Sequence, residues 1–145
     1  MYEYKNQKNR IMQPIVHKKD LLCPELSYEI IGCAYDVFNQ LGFGHPEKFY
    51  QRAFAEALKK RNIPFTEQHY FPVKFNEKVI GKMFFDFFVD EKIIVELKKN
   101  AYFSKQNIDQ VNQYLKTTAI KLALLINFSA NGVVYKRLVN INGNA

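Results

Sequence analysis

Three ionisable residues, Asp86, Glu96 and Lys98, lie in two apolar stretches whose residue types favour β-strands. Burying an unpaired carboxylate costs on the order of several kcal/mol, so these charges need a partner such as a metal ion. Side chains alternate between the two faces of a strand, so Glu96 and Lys98 share a face. A hairpin that pairs Val89 with Ile93 places Asp86 opposite the glutamate. A loop one residue shorter would place an apolar residue opposite Asp86 instead.

Carboxylates that converge without nearby Cys or His ligands suit a hard cation bound by oxygen atoms, which indicates Mg²⁺ or Mn²⁺ rather than Zn²⁺. Such an ion polarises a phosphodiester and lowers the pKa of a bound water. Lys98 can position that water or stabilise the charge that develops on the phosphate oxygens. The pattern favours metal-assisted phosphodiester hydrolysis, and the alternative is a buried ion-pair cluster with a purely structural role.

Two amphipathic helices are expected ahead of these strands. Ser27 is the expected N-cap of the first helix, and Gly42 is its expected stop. The second helix begins around Pro46, because proline suits the first turn. Glu47 and Tyr50 lie three residues apart on one stripe of this helix. Glu47 is therefore either a ligand directed toward the strands or an ordinary first-turn acid favoured by the helix dipole.

Five strands and a third helix are expected downstream. The strands are predicted over residues 65–75, 79–89, 92–98, 121–128 and 133–139. Pro72 marks the first of them as an edge strand or a bulged one. The third helix is predicted over residues 104–118, and it carries Gln110 and Tyr114 four residues apart. These two side chains either face one ligand together or form a polar flank beside the core. Three strands in succession favour hairpins, and the helix after them favours a crossover, so the expected class is α/β with a mixed central sheet flanked by helices.

The composition fits one globular domain with a basic surface. The chain has 145 residues, 48% of them hydrophobic, which is enough for a single core. Its net charge of +7 permits binding to a polyanion such as nucleic acid. We expect a loosely ordered basic arm over residues 1–25, a domain over 26–140 and a frayed tail over 141–145. The two cysteines lack zinc-site spacing, and neither a secretory signal nor a membrane span is evident, so a cytoplasmic location is expected.

Asp86, followed after nine residues by Glu96, Leu97 and Lys98, resembles the D and E-x-K motif of the PD-(D/E)XK nuclease superfamily. The stretch GHPEKFY over residues 44–50 resembles the G-x-x-E-x-x-Y signature of the GxxExxY proteins, one family within that superfamily. The second match makes the first more specific.

Further matches follow in the expected order. Gln110 to Tyr114 resembles the Q-x-x-x-Y motif of exonuclease branches of the superfamily, and residues 125–128 and 135–138 resemble the closing strands of the family. Phe85 stands where the superfamily name has proline. The resemblance covers about residues 26–139.

The resemblance implies a restriction-endonuclease-like αβββαβ core and a metal-dependent nuclease, with DNA favoured over RNA as its partner. It implies that Mg²⁺ or Mn²⁺ is held by Asp86, Glu96 and the main-chain carbonyl of Leu97. Lys98 becomes the catalytic lysine, and Glu47 becomes an additional acidic ligand or a water-orienting group. The implied substrate-orienting residues are Gln110, Tyr114 and Tyr50. A homodimer is compatible with this reading. The alternative is a catalytically silent nucleic-acid-binding or protein-interaction module on the same fold.

Overall fold

The computed structural model describes residues 22–140, so most of the expected basic arm over residues 1–25 and the expected tail over 141–145 lie outside the described residues. The order of elements is the predicted one. They are α1 (Pro24–Leu41), α2 (Glu47–Lys60), β1 (Phe65–Phe75), β2 (Lys78–Val89), β3 (Ile93–Lys98), α3 (Lys105–Thr118), β4 (Leu122–Ser129) and β5 (Gly132–Val139). Between residues 22 and 140, no helix combines the length and the apolar character needed to cross a membrane.

Helix α1 begins earlier than the sequence suggested. It starts at Pro24, after Cys23 in a left-handed conformation with φ of 47°. Proline suits this position because its φ is fixed near the helical value and it has no N–H to leave unpaired. The predicted cap at Ser27 is therefore wrong, and Ser27 is a buried residue inside the helix. The predicted stop is confirmed, because Gly42 has φ of 70° and its N–H donates to the Phe38 carbonyl.

The five strands form one mixed sheet in the order β1-β2-β3-β4-β5. Neighbouring strands are antiparallel except β3 and β4, which run parallel because α3 returns the chain to the end of the sheet where β3 starts. Strand β1 lies at the edge, with a register shift between Val73 and Lys74, as Pro72 led us to expect. Val89 pairs with Ile93, so the predicted hairpin register is confirmed. The predicted α/β class with a mixed sheet is confirmed as well.

Helices cover both faces of the sheet, and the core is divided accordingly. The larger cluster joins α1 and α2 to one face, and its strand members are Phe87, Val89, Ile93, Val95, Leu97, Leu122, Leu124, Ile126, Phe128 and Val133. The smaller cluster joins α3 to the other face, through Val111, Tyr114 and Leu115 against Phe85, Ile94, Ala123 and Leu125. Strand β4 is buried along its whole length, as expected for a central strand covered on both sides.

An ion-pair triad fixes α1 against the C-terminal end of α2. Arg61 donates from Nη1 to Glu29 at 2.6 Å and from Nη2 to Asp36 at 2.8 Å. The guanidinium also lies against Gly32, where a Cβ atom would be 2.9 Å from Nη1. The absence of a side chain at Gly32 therefore allows Arg61 to reach both acids. This contact joins α1 to the end of α2 beside the apolar cluster that the two helices share.

Tyr50 fixes the other end of α2. Its side chain is fully buried, and its ring stacks on Phe128 of β4 with the ring centroids 4.5 Å apart. Its hydroxyl donates to the Gly42 carbonyl at 2.6 Å. The loop between the helices, which includes Gly44 at φ of 105°, is thereby tied to the start of α2. The first turn, where Glu47 lies, is held against the sheet.

We expect Tyr50→Phe to lower the melting temperature by about 3 to 6 °C, because the lost hydrogen bond to Gly42 contributes about 1 kcal/mol. Thermal unfolding followed by circular dichroism measures the change. Tyr70→Phe is the matched control, because Tyr70 is 47% exposed on β1. Equal melting temperatures for the two variants would show that the buried hydroxyl does not tie the loop to the helix.

Candidate active site

Asp86 of β2 and Glu96 of β3 meet where these two strands part. The regular main-chain ladder ends at the pair Phe87 and Val95. Beyond it, Glu96 Oε2 accepts a hydrogen bond from the Asp86 N–H at 2.8 Å, and Asp86 Oδ2 accepts one from the Leu97 N–H at 2.9 Å. Side-chain carboxylates thus replace main-chain carbonyls as acceptors at the next position of the ladder. Asp86 and Glu96 face each other, as the hairpin register predicted.

A reversal of the usual strand alternation turns the Asp86 side chain toward β3. Phe85 and Phe87, which a regular strand would place on one face, pack into opposite core clusters. On β1, Gln68 lies across from Asp86 and has a φ of 45°, which is uncommon for a residue other than glycine. Both strands are therefore distorted beside the carboxylates. Unusual backbone conformations of this kind concentrate at functional sites.

Burial controls the protonation of the carboxylate pair. Glu96 is 3% exposed, and burial, followed by the charge of Asp86, raises its pKa to about 8. Burial also raises the pKa of Asp86, against the lowering effects of the Leu97 N–H and the Lys98 charge. The pair therefore retains a proton at a higher pH than two exposed acids would. A bound cation competes with that proton, because metal ligation requires a deprotonated carboxylate.

Lys98 and Glu47 border the pair from two different elements. Lys98 is half-buried at the end of β3, on the same face as Glu96. Its positive charge lowers the pKa of all three acids. Glu47 is half-buried in the first turn of α2, where burial raises its pKa, the Lys98 charge lowers it and the Asp86 charge raises it. The structure thus brings these four residues within electrostatic reach of one another.

Helix α3 brings Tyr114 to the same place. The Tyr114 ring packs on Phe85 with the centroids 5.1 Å apart, and its hydroxyl donates to the Phe84 carbonyl at 3.4 Å. Burial, followed by the charges of Glu96 and Asp86, raises the pKa of Tyr114 to about 12. Tyr114 is therefore a neutral hydrogen-bond donor beside the acids at any ordinary pH.

Gln110 and Tyr50 stand apart from this group. Gln110 is exposed on α3, one turn before Tyr114, and it is not among the hydrogen-bond partners that hold the two acids. Tyr50 is fully buried with its hydroxyl bound to Gly42. A direct substrate contact by Tyr50 would require that buried contact to break, so its evident action is on the position of α2.

Two residues to which the sequence analysis gave no role complete the surroundings. Asn127, buried in β4 opposite Lys98, accepts from the Asn100 N–H at 2.7 Å and donates to the Asn100 carbonyl at 2.9 Å. Asn127 therefore fixes the chain just beyond Lys98. A polar residue inside an otherwise apolar strand was the feature of the sequence that could have identified it. The side chain of Gln68 makes a smaller contribution, since its hydrogen bonding lowers the pKa of Asp86. An exposed strand glutamine offers no comparable signal in the sequence.

The donor atoms fit a divalent cation such as Mg²⁺. Asp86 and Glu96 each engage one carboxylate oxygen in the hydrogen bonds described, which leaves the other oxygen as a donor to metal. The Leu97 carbonyl faces the same side as its N–H, toward Asp86, because both groups of a strand residue point to one neighbour. Between residues 22 and 140, no three His, Cys, Asp or Glu side chains are grouped closely enough to hold a metal by themselves. If Asp86 and Glu96 held such an ion, main-chain oxygen and water would have to supply the remaining ligands.

The sequence comparison identifies the superfamily. Residues 24–138 match the family model of the PD-(D/E)XK nuclease superfamily, and the chain belongs to this superfamily. The mixed sheet with helices on both faces is consistent with the restriction-endonuclease-like fold of its members. The fold and the match together establish a nuclease-type domain.

One solved structure supports the fold assignment. The crystal structure of SSO0001 aligns with 64% of this chain and 49% of its own, at 14% sequence identity and a TM-score of 0.51. This chain therefore spans about half the length of SSO0001, and at that identity the likeness concerns the fold alone. No curated protein matches the chain in sequence.

The raised pKa of Glu96 predicts how stability depends on pH without metal. The Glu96 carboxyl holds its proton more tightly in the folded state than in the unfolded state, so its protonation stabilises the fold. This stabilisation is complete below about pH 4.5 and is lost as the pH rises to about 8. We expect Glu96→Gln, which cannot ionise, to gain about 3 °C or more in melting temperature relative to wild type between pH 5 and pH 8. Thermal unfolding in EDTA measures the difference.

Glu91→Gln is the matched control for this experiment. Glu91 is exposed in the turn before β3, at the opposite end of that strand from Glu96. Its pH profile should run parallel to that of wild type. A Glu96→Gln profile that also runs parallel to wild type would mean that Glu96 is not held in its protonated form by burial.

Proposed function

We propose that this protein is a metal-dependent nuclease that hydrolyses phosphodiester bonds, with DNA as the expected substrate. The observation that carries the proposal is the exchange of hydrogen bonds between the Asp86 and Glu96 carboxylates and the main chain where β2 and β3 part. A strand pair with only a structural role would avoid the cost of burying these acids by using apolar side chains. Superfamily membership and the net charge of +7 support a nucleic-acid substrate.

Asp86, Glu96 and the Leu97 carbonyl are the proposed ligands of Mg²⁺ or Mn²⁺. When bound, the ion would supply Lewis acidity to the scissile phosphate and lower the pKa of a bound water. Lys98 lies beside the ligands, where it can position the attacking water and offset the negative charge that develops on the phosphate oxygens. Glu47 accepts a hydrogen bond from that water and orients it.

Helix α3 is proposed to contact the substrate. Tyr114 keeps its proton, so its hydroxyl can exchange the long hydrogen bond to the Phe84 carbonyl for one to a phosphate oxygen without adding charge. Gln110 is exposed one turn earlier on the same helix and can reach the next phosphate or sugar. Both side chains are neutral, so they can donate hydrogen bonds to the substrate without adding to the positive charge of Lys98.

We further propose that the chain is a GxxExxY protein within the superfamily. Gly44 has φ of 105°, a conformation that favours glycine. Tyr50 ties the same loop to Gly42, and Glu47 lies between these two residues within electrostatic reach of Lys98. The signature thus has a physical explanation, in which the glycine and the tyrosine shape the loop that presents the acid.

We expect cleavage of labelled DNA only when Mg²⁺ or Mn²⁺ is present. Glu96→Gln and Lys98→Ala should each lower the rate at least about 100-fold, because the first removes a proposed metal ligand and the second removes the positive charge beside the reacting phosphate. Gel analysis of end-labelled single-stranded and duplex DNA measures the rates, with RNA of the same sequence run in parallel. The matched controls are Glu91→Gln and Lys121→Ala, whose exposed side chains lie at the other end of β3 and β4.

Metal-independent cleavage, or full activity in both site variants, would refute the proposed mechanism. Salt-sensitive binding without any turnover would identify the protein as a catalytically silent nucleic-acid-binding module instead, because lysine and arginine contacts to phosphate set the salt dependence.

Binding of the metal itself can be measured apart from activity. At pH 8, where about half of Glu96 has given up its proton, addition of about 10 mM Mg²⁺ should stabilise wild type by about 1.4 kcal/mol if the dissociation constant at that pH is about 1 mM. The shift in melting temperature should be smaller at pH 6, because the proton competes there, and absent in Asp86→Asn. An equal shift in Asp86→Asn would place the binding elsewhere.

A further inference from the structure

Strands β1 and β2 extend as a two-stranded arm beyond the rest of the sheet. Strand β2 pairs with β3 only from Phe87 to Val89, whereas its pairing with β1 continues as far as Lys78. We call residues 69–85 the hairpin arm. One face of this arm packs onto the cluster under α3 through Phe71, Met83 and Phe85. The other face therefore points away from α3.

This outer face carries two exposed aromatic rings next to a lysine. Tyr70 lies opposite Phe84 with the ring centroids 5.6 Å apart, and the adjacent pair on the same face is Pro72 and Lys82. Tyr70 and Phe84 are 47% and 48% exposed, and Lys82 is exposed as well. We define the outer face by these four residues. A cross-strand aromatic pair stabilises a hairpin, yet half of each ring remains available for contact.

The surroundings of the outer face are both apolar and basic. Three more apolar side chains, Phe75, Val79 and Ile80, are exposed nearer the tip of the arm. Three lysines and one glutamate give the arm a net charge of +2. Apolar patches of this kind mark interaction sites. A second copy of this chain would carry the same charge and would repel the lysines, whereas a polyanion attracts them.

The outer face adjoins the candidate active site along β2, on the opposite face of the sheet from Tyr114. Phe84 precedes Asp86 by two residues, a span of about 7 Å along a strand. The Phe84 carbonyl also accepts the hydroxyl of Tyr114, which lies beside the acids. Because β2 has no partner strand on the β3 side before Asp86, a chain of nucleotides with one phosphate at Asp86 can pass over this free edge and lay its neighbouring bases against the outer face.

We propose that the outer face of the hairpin arm binds a single-stranded segment of nucleic acid, with bases stacked on Tyr70 and Phe84 and a phosphate held by Lys82. The inference rests on the proposed function and specifies the substrate as unpaired nucleotides beside the scissile bond. Aromatic side chains stack on unpaired bases of any sequence, while the bases of a duplex keep their faces stacked on one another. The arm therefore selects single-stranded over double-stranded nucleic acid.

Fluorescence anisotropy in EDTA tests this proposal without cleavage. The probes are a labelled 20-nucleotide oligothymidine and a labelled duplex of 20 base pairs. Tyr70→Ala and Phe84→Ala should each weaken binding of the single strand by about 5-fold to 150-fold, the range that one stacked base contributes, and should change duplex binding by less than about 2-fold. Lys82→Ala should lower the salt slope of single-strand binding by about 0.7.

Three further variants keep the test independent of folding. Tyr28→Ala removes an exposed aromatic ring from α1, away from the arm, and should leave both affinities unchanged. Tyr70→Phe and Phe84→Tyr keep the rings and should keep the affinity. The proposal would be overturned if Tyr70→Ala and Phe84→Ala bound the single strand with wild-type affinity, or if they lost affinity for the single strand and the duplex equally. So would a dimer, seen by light scattering, that Tyr70→Ala converts to monomers.

The outcome is separable from that of the nuclease assay. Ring-dependent binding of the single strand by a protein that never cleaves would refute the nuclease proposal and keep this one. Metal-dependent cleavage, together with a single-strand affinity that does not change when the Tyr70 or Phe84 ring is removed, would refute this proposal alone.

Discussion

The main-chain N–H groups of Asp86 and Leu97 each donate a hydrogen bond to a carboxylate of the opposite strand. Without Glu96 and Asp86 as acceptors, these donors would be left unpaired where the strands part, which is costly in a buried place. Without the donors, two acids at this depth would have no compensation for lost hydration. The backbone and the acids therefore stabilise one another, and the position of the carboxylates is set by the sheet itself rather than by a flexible loop.

The other groups of the site reach this pair from elements that are each fixed by a contact elsewhere. Tyr50 and Arg61 hold the two ends of α2 and so place Glu47. Asn127 fixes the chain after Lys98. None of these three anchoring residues needs to touch a substrate for its loss to disturb the site, because a displacement of one ångström is enough to weaken a catalytic arrangement.

The sequence was informative where a short-range rule decides the structure. Strand parity and loop length were sufficient to oppose Asp86 to Glu96, and the order of apolar segments was sufficient for the fold class. The expected cap at Ser27 was wrong because proline three residues earlier is an equally good start for a helix. The distortion at Gln68 could not be predicted, because it arises from the pairing of two strands and no residue type there demands it.

The site concentrates negative charge, although the substrate of a nuclease is itself a polyanion. When all three acids are ionised, Asp86, Glu96 and Glu47 outnumber Lys98 and Lys99, so the acids alone would repel a phosphate. A divalent cation reverses the sign locally, but it does so only at the reacting phosphate. Attraction along the rest of a nucleic-acid chain must come from positive charge outside the site, and Lys82 of the hairpin arm is exposed four residues before Asp86 on the same strand. The acids proposed to hold the cation and the lysines proposed to attract the rest of the chain thus lie on different parts of one small domain.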